Sequence, residues 1–476
     1  MRLNRAGRVV AVLAAVCGAG LSSAEAVAAT QTVAWGTTNS APAGALGELF
    51  GVAAASRTEV LAVGGFNPGQ PPTAVLTNPY AERWNGTAWA ATPVPLGQVY
   101  PSQAAQLNGA ATVGPGDGWA VGTVSNDSTG ASQTLAFHWD GTAWTRFATP
   151  DPAGPGQPNS LAAVAARSTA DVWAAGAAGF PETSLVLHWN GHAWRQVSVP
   201  DVGPLAAVAT APGRVWVAGG NKVEQFNGSA WTTLPALPFP GQTSVNLAGL
   251  ADTPSGLWAA GALDFSCGEG QVCTSSYAAV WNGTTWTEAP GAPGTGLTGV
   301  TAAGSQVLAT FQSGVVRLTR TTAATQVTPA LNSLVLTAIA ADPAGNPWAV
   351  GSRDTGGKIQ PAIINAPGIG QGGIIVTTGA SGATVTWAGP VTGAGSTDFS
   401  GRFAVGGLPD GSYTVTASLP SCQPGIATAV VNAGTATPVS AHISCYLNRR
   451  TGVRPGEARE LTSRAAGAEG TAPSVT

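Results

Sequence analysis

Histidine and carboxylate side chains could carry acid–base or metal chemistry in this sequence, but they are few and scattered. Two of the four histidines stand at the same place in a recurring phrase, just before a tryptophan, and such recurrence favours a structural role over metal ligation. The acids on or beside the strands expected at the centre of the fold are Glu48 and Asp252. The chain has no Gly-x-Ser-x-Gly elbow and no phosphate-binding loop. We therefore expect no catalytic residues, metal site, cofactor or enzymatic activity. The four histidines are His138, His188, His192 and His442.

Three polar loops are better candidates for a binding surface. They span residues 122–133, 261–277 and 351–360, and a disulfide across the second would preorganise it. The alternative interpretation is that their charges are ordinary solvated loop residues. The candidate contacts are Asn126, Asp127, Asp264, Glu269, Arg353, Asp354 and Lys358.

The composition argues against nucleic acid as a partner. Only 9% of the 476 residues are charged, and the formal net charge is −3. Typical soluble domains carry about 25% charged residues, and this chain has no basic block that could bind phosphates. Lysine occurs only at Lys222 and Lys358. The bias towards arginine, alanine and glycine suggests a GC-rich bacterial genome.

The first thirty residues predict an export signal. Three arginines within the first eight residues precede the apolar stretch VVAVLAAVCGAGL, and Ala-x-Ala sites follow in AEAVAAT. We assign residues 1–29 to a signal peptide. No later apolar run reaches about 18 residues. We therefore expect a secreted mature protein without stable membrane insertion.

The cysteine count agrees with export. Cys17 would leave with the signal peptide, and an even number of cysteines in an exported chain implies disulfides. Proximity pairs Cys267 with Cys273 and Cys422 with Cys445, with chain-entropy contributions of about 2 and about 3 kcal/mol. The rival interpretation, a four-thiolate zinc site, lacks the usual Cys-x-x-Cys spacing.

Two short phrases recur along most of the chain. The first places Asn-Gly or Asp-Gly between aromatic residues, as in WNGTAW at 84–89 and WDGTAW at 139–144. The second resembles Trp-Ala-Val-Gly and returns seven times, at a mean step of about 48 residues, which is typical of propeller blades. Its aligned positions are Leu61, Trp119, Trp173, Trp216, Trp258, Leu308 and Trp348.

These phrases predict four strands per repeat. An apolar strand rich in alanine and glycine precedes each second phrase, and Asn-Gly or Asp-Gly marks a hairpin because a type I′ turn needs positive φ. Seven such units predict an all-β, seven-bladed β-propeller over residues 31–367. The seventh unit lacks an outer strand, so residues 31–38 should complete it and close the ring. Residues 315–327 replace the tryptophan hairpin in the sixth unit.

Fifteen of the 16 tryptophans occupy repeat positions. They could pack between blades, or they could be platforms that stack on sugar rings; recurrence in nearly every unit favours packing. The Asn-x-Ser/Thr sequons at Asn85, Asn227 and Asn282 coincide with the hairpin turns. Asp140 replaces asparagine there without loss of the pattern, which favours turn chemistry over glycosylation.

The phrases resemble the tryptophan-rich, kelch-like propeller repeats of exported bacterial proteins over about residues 31–367. The resemblance implies a propeller fold but no particular activity, because propellers serve many functions. In such propellers, ligands usually contact the face made by the loops between strands two and three and by the connections between blades. The three polar loops named above are of this kind.

A second module follows the propeller. Residues 368–373 read as a linker, and the alternating pattern of residues 374–446 predicts a small C-terminal β-sandwich. Residues 447–476 lack apolar periodicity and are expected to be disordered. Residues 396–418 resemble carboxypeptidase regulatory-like domains, which are transthyretin-like sandwiches, and this implies a non-catalytic spacer or adhesive unit. The matching residues are Asp398, Gly401, Phe403, Val405, Leu408, Pro409, Gly411, Tyr413 and Val415.

Together these features predict a secreted, monomeric, non-catalytic binding or adhesion protein whose propeller face recognises an extracellular carbohydrate or protein. The alternative is a secreted carbohydrate-active enzyme, a hydrolase or lyase, acting from the same face. Clustered acids with perturbed pKa values in one pocket would favour the enzyme, and a shallow polar or aromatic surface would favour binding.

Overall fold

The structure, a computed structural model, consists of β-strands and irregular segments. No helix occurs in the part of the chain that it describes, and therefore no helix there could cross a membrane. The chain forms two compact units: the first comprises the chain up to Ile374 together with Ala404–Gly411 and Val430–Thr437, and the second comprises the remaining C-terminal residues. The structure describes residues 36–38, 46–67, 76–100, 102–239, 243–268, 271–328, 334–354, 359–365, 372–390, 392–397, 401–408, 411–431 and 436–445.

Seven four-stranded antiparallel sheets form the seven-bladed β-propeller that the repeat predicts. The innermost strand of each blade contacts that of the next, and the last contacts the first, which closes a ring. Blade 1 consists of β2 (Leu46–Ser56), β3 (Glu59–Asn67), β4 (Asn78–Trp84) and β5 (Trp89–Ala91). Blade 2 consists of β6 (Gln103–Gly114), β7 (Asp117–Asn126), β8 (Ser132–Trp139) and β9 (Trp144–Phe147). Blade 3 consists of β10 (Asn159–Ser168), β11 (Asp171–Ala178), β12 (Thr183–Trp189) and β13 (Trp194–Val197).

The remaining blades follow the same order, except that the outer strand of the last blade comes from the N-terminal side of the chain. Blade 4 consists of β14 (Ala207–Ala211), β15 (Arg214–Gly219), β16 (Lys222–Phe226) and β17 (Trp231–Thr233), and blade 5 of β18 (Thr243–Thr253), β19 (Gly256–Ser266), β20 (Val272–Trp281) and β21 (Trp286–Glu288). Blade 6 consists of β22 (Leu297–Ala303), β23 (Gln306–Phe311), β24 (Gly314–Leu318) and β25 (Thr325–Gln326). Blade 7 consists of β26 (Leu334–Ala341), β27 (Pro347–Asp354), β28 (Ile359–Asn365) and β1 (Gly36–Thr38).

The N-terminal strand closes the ring as the sequence predicts. Strand β1 pairs antiparallel with β28, and Gly36 lies opposite Asn365. Residues 31–35 of the expected closing segment lie outside the described residues. A hydrogen bond also joins the first and last blades near the centre of the ring. The Thr337 hydroxyl donates it to the Leu49 carbonyl at 2.6 Å. The seam between the last and first blades is therefore held by strand pairing and by a direct hydrogen bond.

Crowding at the centre explains the small residues of the inner strands and the glycine of the Trp-Ala-Val-Gly phrase. A Cβ on Gly51 would lie 2.8 Å from the Cα of Gly109 in the next blade. Six inner strands carry a β-bulge after a leucine, and five of these leucines pair with a glycine of the second strand. A Cβ on one such glycine, Gly122, would lie 2.0 Å from the Gln106 carbonyl oxygen, so only glycine fits.

The recurring tryptophans pack between blades. Trp119 of blade 2 contacts Trp189 and Trp194 of blade 3, with ring centroids 4.9 and 5.2 Å apart. Trp139 and Trp144 are each 3% exposed and lie in one apolar cluster with Leu61 of blade 1. The tryptophan or leucine of the second strand in one blade thus packs against the aromatic residues of the hairpin in the next blade. The same relationship joins Trp173 to Phe226 and Trp231, and Trp348 to Trp84 and Trp89.

Each hairpin tip is closed by its asparagine or aspartate. Asp140 Oδ1 accepts hydrogen bonds from the backbone N–H groups of Thr142 and Ala143, and Gly141 has a φ of 94°. The Thr142 hydroxyl and these N–H groups lower the pKa of Asp140 to about 2. Turn chemistry therefore accounts for the repeated dipeptide, but the turn is not the type I′ that the sequence predicts, because Gly141 has a positive φ and Asp140 does not. Equivalent backbone bonds are made by Asn85, Asn190, Asn227 and Asn282.

Residues 372–440 form two sheets, a three-stranded one in the order β32-β29-β35 and a four-stranded one in the order β31-β30-β33-β34. Tyr413 and Val415, two of the residues that match the resemblance, are fully buried. Phe403 and Val405, which the alternating pattern is expected to place in the core, are only partly buried. Asp398 and Pro409 lie outside the described residues. The strands are β29 (Gly372–Thr377), β30 (Thr384–Ala388), β31 (Thr392–Ser396), β32 (Arg402–Leu408), β33 (Gly411–Ser418), β34 (Gly425–Val431) and β35 (Ala436–Ser440).

Candidate binding face

Antiparallel pairing gives the propeller two distinct faces. The start of strand one, the end of strand two, the start of strand three and the end of strand four lie at the same edge of every blade. We call the surface formed by these edges the loop face, because it carries the loops between strands two and three and the connections between blades. The opposite surface, which carries the Asn-Gly and Asp-Gly turns, is the hairpin face.

Two of the predicted contact residues, Asn126 and Asp127, lie on the loop face of blade 2. Asn126 Oδ1 accepts a hydrogen bond from the Ser128 N–H at 2.9 Å and shapes the loop. Asp127 Oδ2 accepts from the Ser102 hydroxyl at 3.1 Å, which ties the loop to the connection from blade 1. Both side chains therefore organise this part of the face.

The other predicted residues belong to blades 5 and 7, which are not neighbours in the ring. Asp264 accepts hydrogen bonds from the Asn246 amide at 2.9 Å and from the Thr274 hydroxyl at 2.6 Å. Both of its carboxylate oxygens are therefore used in hydrogen bonds within blade 5. Arg353 and Asp354 end strand β27. The structure does not bring the five described candidates together as one cluster. Glu269 and Lys358 lie outside the described residues.

The predicted disulfides are present. Cys267 is bonded to Cys273 in the strand-two-to-three loop of blade 5, with their Cα atoms 5.7 Å apart. Cys422 is bonded to Cys445 in the C-terminal unit, with Cα atoms 4.3 Å apart. The first bridge shortens the free part of a loop-face loop, which is the preorganising effect expected of it.

The histidines at equivalent repeat positions form equivalent structural pairs. His138 Nε2 lies 2.9 Å from an oxygen of Asp117, and His188 Nε2 lies 3.0 Å from an oxygen of Asp171. Each imidazole also packs against the tryptophan of its own second strand. Within the described segments, no group of three or more His, Cys, Asp or Glu side chains could hold a metal ion.

The two acids named beside the inner strands do not form a catalytic pair. Burial raises the pKa of both Glu48 and Asp252. However, Glu48 lies near the start of β2, at the loop face of blade 1, and Asp252 lies near the end of β18, at the hairpin face of blade 5. Their opposite positions exclude a shared reaction centre.

A cavity of about 560 Å³ opens on the loop face where blades 7, 1 and 2 meet. We call it the blade-1 cavity. Its volume lies within the range of small-molecule sites, and its described lining contains no charged side chain. Phe66 and Tyr80 form a tilted aromatic pair in its wall, with ring centroids 5.6 Å apart. The described lining residues are Gly47, Phe66, Asn78, Pro79, Tyr80, Ala91, Thr92, Pro93, Val94, Leu96, Gly97, Gln98, Gln103 and Pro361.

A buried carboxyl group supports the wall of this cavity. The Tyr80 hydroxyl donates to Glu82 Oε1 at 2.6 Å, and Glu82 is 0% exposed. Its other oxygen, Oε2, has no hydrogen-bond partner among the described residues. Burial raises the pKa of Glu82 to about 7, against a smaller lowering by the Tyr80 hydrogen bond. Burial, followed by the charge of Glu82, raises the pKa of Tyr80.

The sequence analysis did not identify Glu82 as a functional candidate, although comparison of the repeats shows that it occupies a position that is apolar in other blades. The residue two positions before the first hairpin aromatic is Phe137 in blade 2 and Leu187 in blade 3, both fully buried. Glu82 occupies this position in blade 1, and Glu224, also buried, occupies it in blade 4. A carboxylate at a core position of a repeat could have been recognised as exceptional before the structure was known.

A second cavity, of about 480 Å³, lies on the loop face at the junction of blades 2 and 3. Phe180 stands at its edge and is 87% exposed, the highest value for a large apolar side chain in the described parts of the chain. Its lining is formed by Pro152, Ala153, Gln157, Ala178, Gly179, Phe180, Pro181, Thr183, Ser184 and Gln196.

Hydrogen-bonded loops connect the two cavities. The Ser102–Asp127 bond joins the connection beside Gln103, which lines the blade-1 cavity, to the loop of blade 2. At the other end of that loop, the Ser132 N–H donates to the carbonyl of Gln157, which lines the second cavity. Hydrogen bonds therefore link the wall of the first cavity, through the loop of blade 2, to the wall of the second cavity beside Phe180.

Comparison with known proteins gives the fold alone. No protein family and no curated protein matches the chain. Similar solved structures include YCF48 bound to D1 peptide, at 12% identity over 70% of this chain and 95% of that one, with a TM-score of 0.43. A streptogramin B lyase is 12% identical over 70% and 97%, with a TM-score of 0.45. Virginiamycin B lyase from Staphylococcus aureus is 11% identical over 70% and 99%, with a TM-score of 0.44.

One prediction from the sequence needs correction at this point. We expected a protein without enzymatic activity, and this expectation does not stand, since the solved structures of similar fold include lyases, which are enzymes. The lack of familiar catalytic motifs was the basis of that prediction. Motif searches detect only chemistries with a local sequence signature, whereas a propeller gathers its surface residues from several blades.

Proposed function

We propose that the protein binds a polypeptide partner on the loop face of its propeller, across blades 7, 1, 2 and 3. The observation that carries this proposal is that the blade-1 cavity and the exposed side chain of Phe180 lie on the same face and are linked by hydrogen-bonded loops. An apolar cavity and a nearby exposed aromatic side chain are typical anchors of protein recognition. Asn126 and Asp127 would contribute polar contacts between them, and Arg353 and Asp354 would lie at the blade 7 side.

A polypeptide fits this surface better than a carbohydrate does. The repeated tryptophans that could have stacked on sugars pack between blades, and Trp139 and Trp144 are each 3% exposed. The blade-1 cavity is lined mainly by apolar groups, whereas a sugar would need polar partners for its hydroxyls. The remaining candidates, Asp264, Glu269 and Lys358, would belong to separate parts of the loop face.

The proposal places this binding outside the cell. The N-terminal segment has the pattern of an export signal, and the two disulfides are compatible with an oxidising compartment. The propeller would be kelch-like and monomeric. The C-terminal unit would be a carboxypeptidase regulatory-like β-sandwich that acts as a spacer, and the burial of Tyr413 and Val415 supports this assignment.

Selection from a random phage-displayed peptide library on the full mature chain tests the proposal. Affinities of the selected peptides are then measured for the wild type and for Val94→Glu and Phe180→Glu, which alter the two cavities. We expect each substitution to weaken binding at least about tenfold, because each buries a charge in the contact. His192→Glu, at an exposed turn of the hairpin face, is the matched control and should bind normally.

The selected peptides also provide the decisive negative result. If all of them bind both loop-face variants as tightly as the wild type, or lose affinity only for His192→Glu, the assignment of the loop face is wrong. Melting temperatures of the three variants must remain close to the wild-type value, so that loss of binding is not loss of fold.

A further inference from the structure

The blade-1 cavity has a lining that selects its occupant by chemistry. Several polar groups in its wall are already used by the chain itself. Gln103 Oε1 accepts from the backbone N–H groups of Val99 and Tyr100 at 2.9 and 3.3 Å. Thr92 Oγ1 accepts from the Trp144 indole N–H at 2.9 Å. The part of the wall that remains available to a bound group is therefore mainly apolar.

The aromatic pair gives the apolar surface a preferred kind of partner. The rings of Phe66 and Tyr80 are inclined by 59° to each other, and both line the cavity. Aromatic groups gain from tilted ring contacts beyond the area that they bury. An aliphatic group of similar size would bury comparable area without this additional interaction.

The absence of charged side chains from the described lining also limits which groups can bind in the cavity. A charged group that enters this cavity would lose water and find no charged partner among the described lining residues, which is costly. The nearest buried carboxyl, that of Glu82, is bonded to the Tyr80 hydroxyl and is not itself part of the lining. The cavity therefore disfavours both carboxylates and ammonium groups.

We propose that the blade-1 cavity receives an uncharged aromatic side chain of the polypeptide partner, which packs against Phe66 and Tyr80, and that Glu82 is the positioning residue that holds Tyr80 in the wall. The inference rests on the proposed function and deepens it by naming the group that is recognised. Glu82 acts through the hydroxyl of Tyr80, and its burial leaves it no contact with the partner.

Small capped amino acids test the selectivity without requiring the natural partner. The probes are the N-acetyl amides of phenylalanine, leucine, 4-carboxyphenylalanine and 4-aminomethylphenylalanine, measured by calorimetry or ligand-observed NMR on the full mature chain. We expect the phenylalanine probe to bind at least about tenfold more tightly than either charged analogue, and detectably more tightly than leucine. Val94→Trp, which fills the cavity, should abolish binding, whereas His192→Glu, at an exposed turn of the hairpin face, should leave it unchanged.

Substitutions of Glu82 test the positioning role. Glu82→Gln keeps an acceptor for the Tyr80 hydroxyl and should retain the affinity for the phenylalanine probe. Glu82→Leu places the residue that blade 3 has at this position, Leu187, so the blade should fold while Tyr80 loses its acceptor. We expect Glu82→Leu to bind the probe several-fold more weakly. Equal affinity in Glu82→Leu and Glu82→Gln would overturn the positioning role.

The outcomes separate this inference from the proposed function. If the charged probes bind as tightly as the phenylalanine probe, or if Val94→Trp still binds it, the inference about the cavity is wrong. The proposed function would then still stand on peptides that depend on Phe180. If the phenylalanine probe binds as expected but no selected peptide depends on the loop face, the polypeptide partner is wrong and the inference falls with it.

Discussion

The indole ring of Trp348 in blade 7 packs edge-on against that of Trp89 in blade 1, with centroids 5.7 Å apart and planes at 79°. Trp119 and Trp194, in blades 2 and 3, meet in nearly the same way, at 5.2 Å and 88°. The closing seam of the ring therefore uses the same contact as an interior seam, although its two residues come from opposite ends of the propeller sequence.

Replacement of Trp119 by alanine should destabilise the propeller by about 3–5 kcal/mol, as for a buried aromatic residue. Trp119 is 1% exposed and contacts both hairpin tryptophans of blade 3. Urea unfolding measures the loss, and His192→Ala at an exposed turn serves as the control with little expected change. A Trp119→Ala protein of wild-type stability would contradict the packing role of the repeated tryptophans.

Removal of β1 should open the last blade. Deleting residues 31–38 takes away the strand that pairs with β28, and should lower the melting temperature of the propeller. The comparison is with deletion of residues 31–35 alone, which leaves Gly36–Thr38 in place. If both truncated proteins melt at the same temperature as the chain that retains residues 31–38, closure by this strand makes no contribution to stability.

Stability should depend on pH through Glu82. Burial raises the pKa of this carboxyl from 4.5 to about 7. Because the folded-state pKa exceeds the unfolded one, the folded protein holds the proton more tightly, and this contribution is complete below about pH 4.5 and lost as the pH rises through 7. At 1.36 kcal/mol per pKa unit, the loss is about 3 kcal/mol.

Urea unfolding at several pH values between about 4.5 and 8 measures this dependence. Glu82→Gln, which cannot ionise, should reduce the fall in the free energy of unfolding by about 3 kcal/mol relative to the wild type. Asp140→Asn is the matched control, because other blades have asparagine at this turn and the substitution should leave the pH dependence between 4.5 and 8 unchanged. A wild-type slope that persists in Glu82→Gln would show that other groups cause it.

Both disulfides should form when the chain is produced in an oxidising compartment. Intact mass should be four protons below that of the all-thiol chain, and peptide mapping should recover the pairs Cys267–Cys273 and Cys422–Cys445. Replacing the first pair by serines should cost about 2 kcal/mol and replacing the second about 3 kcal/mol, because the second closes a longer loop. Free thiols or crossed pairs would refute the assignment.

The architecture of the propeller was predictable because its causes are local and repeated. The glycine of each Asn-Gly or Asp-Gly turn has a positive φ. The glycine of the Trp-Ala-Val-Gly phrase is required by a bulge that recurs in most blades. The closing strand was predictable for the same reason, since Trp35 and its neighbours match an outer strand that the seventh unit lacks. Seven imperfect copies of one pattern provide many independent indications of the same fold.

The sequence by itself determined the repeat, the ring, its closure and the two disulfides, whereas only the tertiary structure decided where a partner could bind. The polar loops chosen from composition lie on separate blades, and the cavity that the structure reveals was not among them. Its wall joins Gly47 near the start of the ring to Pro361 near its end, and a Cβ on Gly47 would lie 3.1 Å from Pro361. Residues so far apart in the chain acquire a common surface only when the ring closes, because no local pattern encodes a contact between the first and last blades.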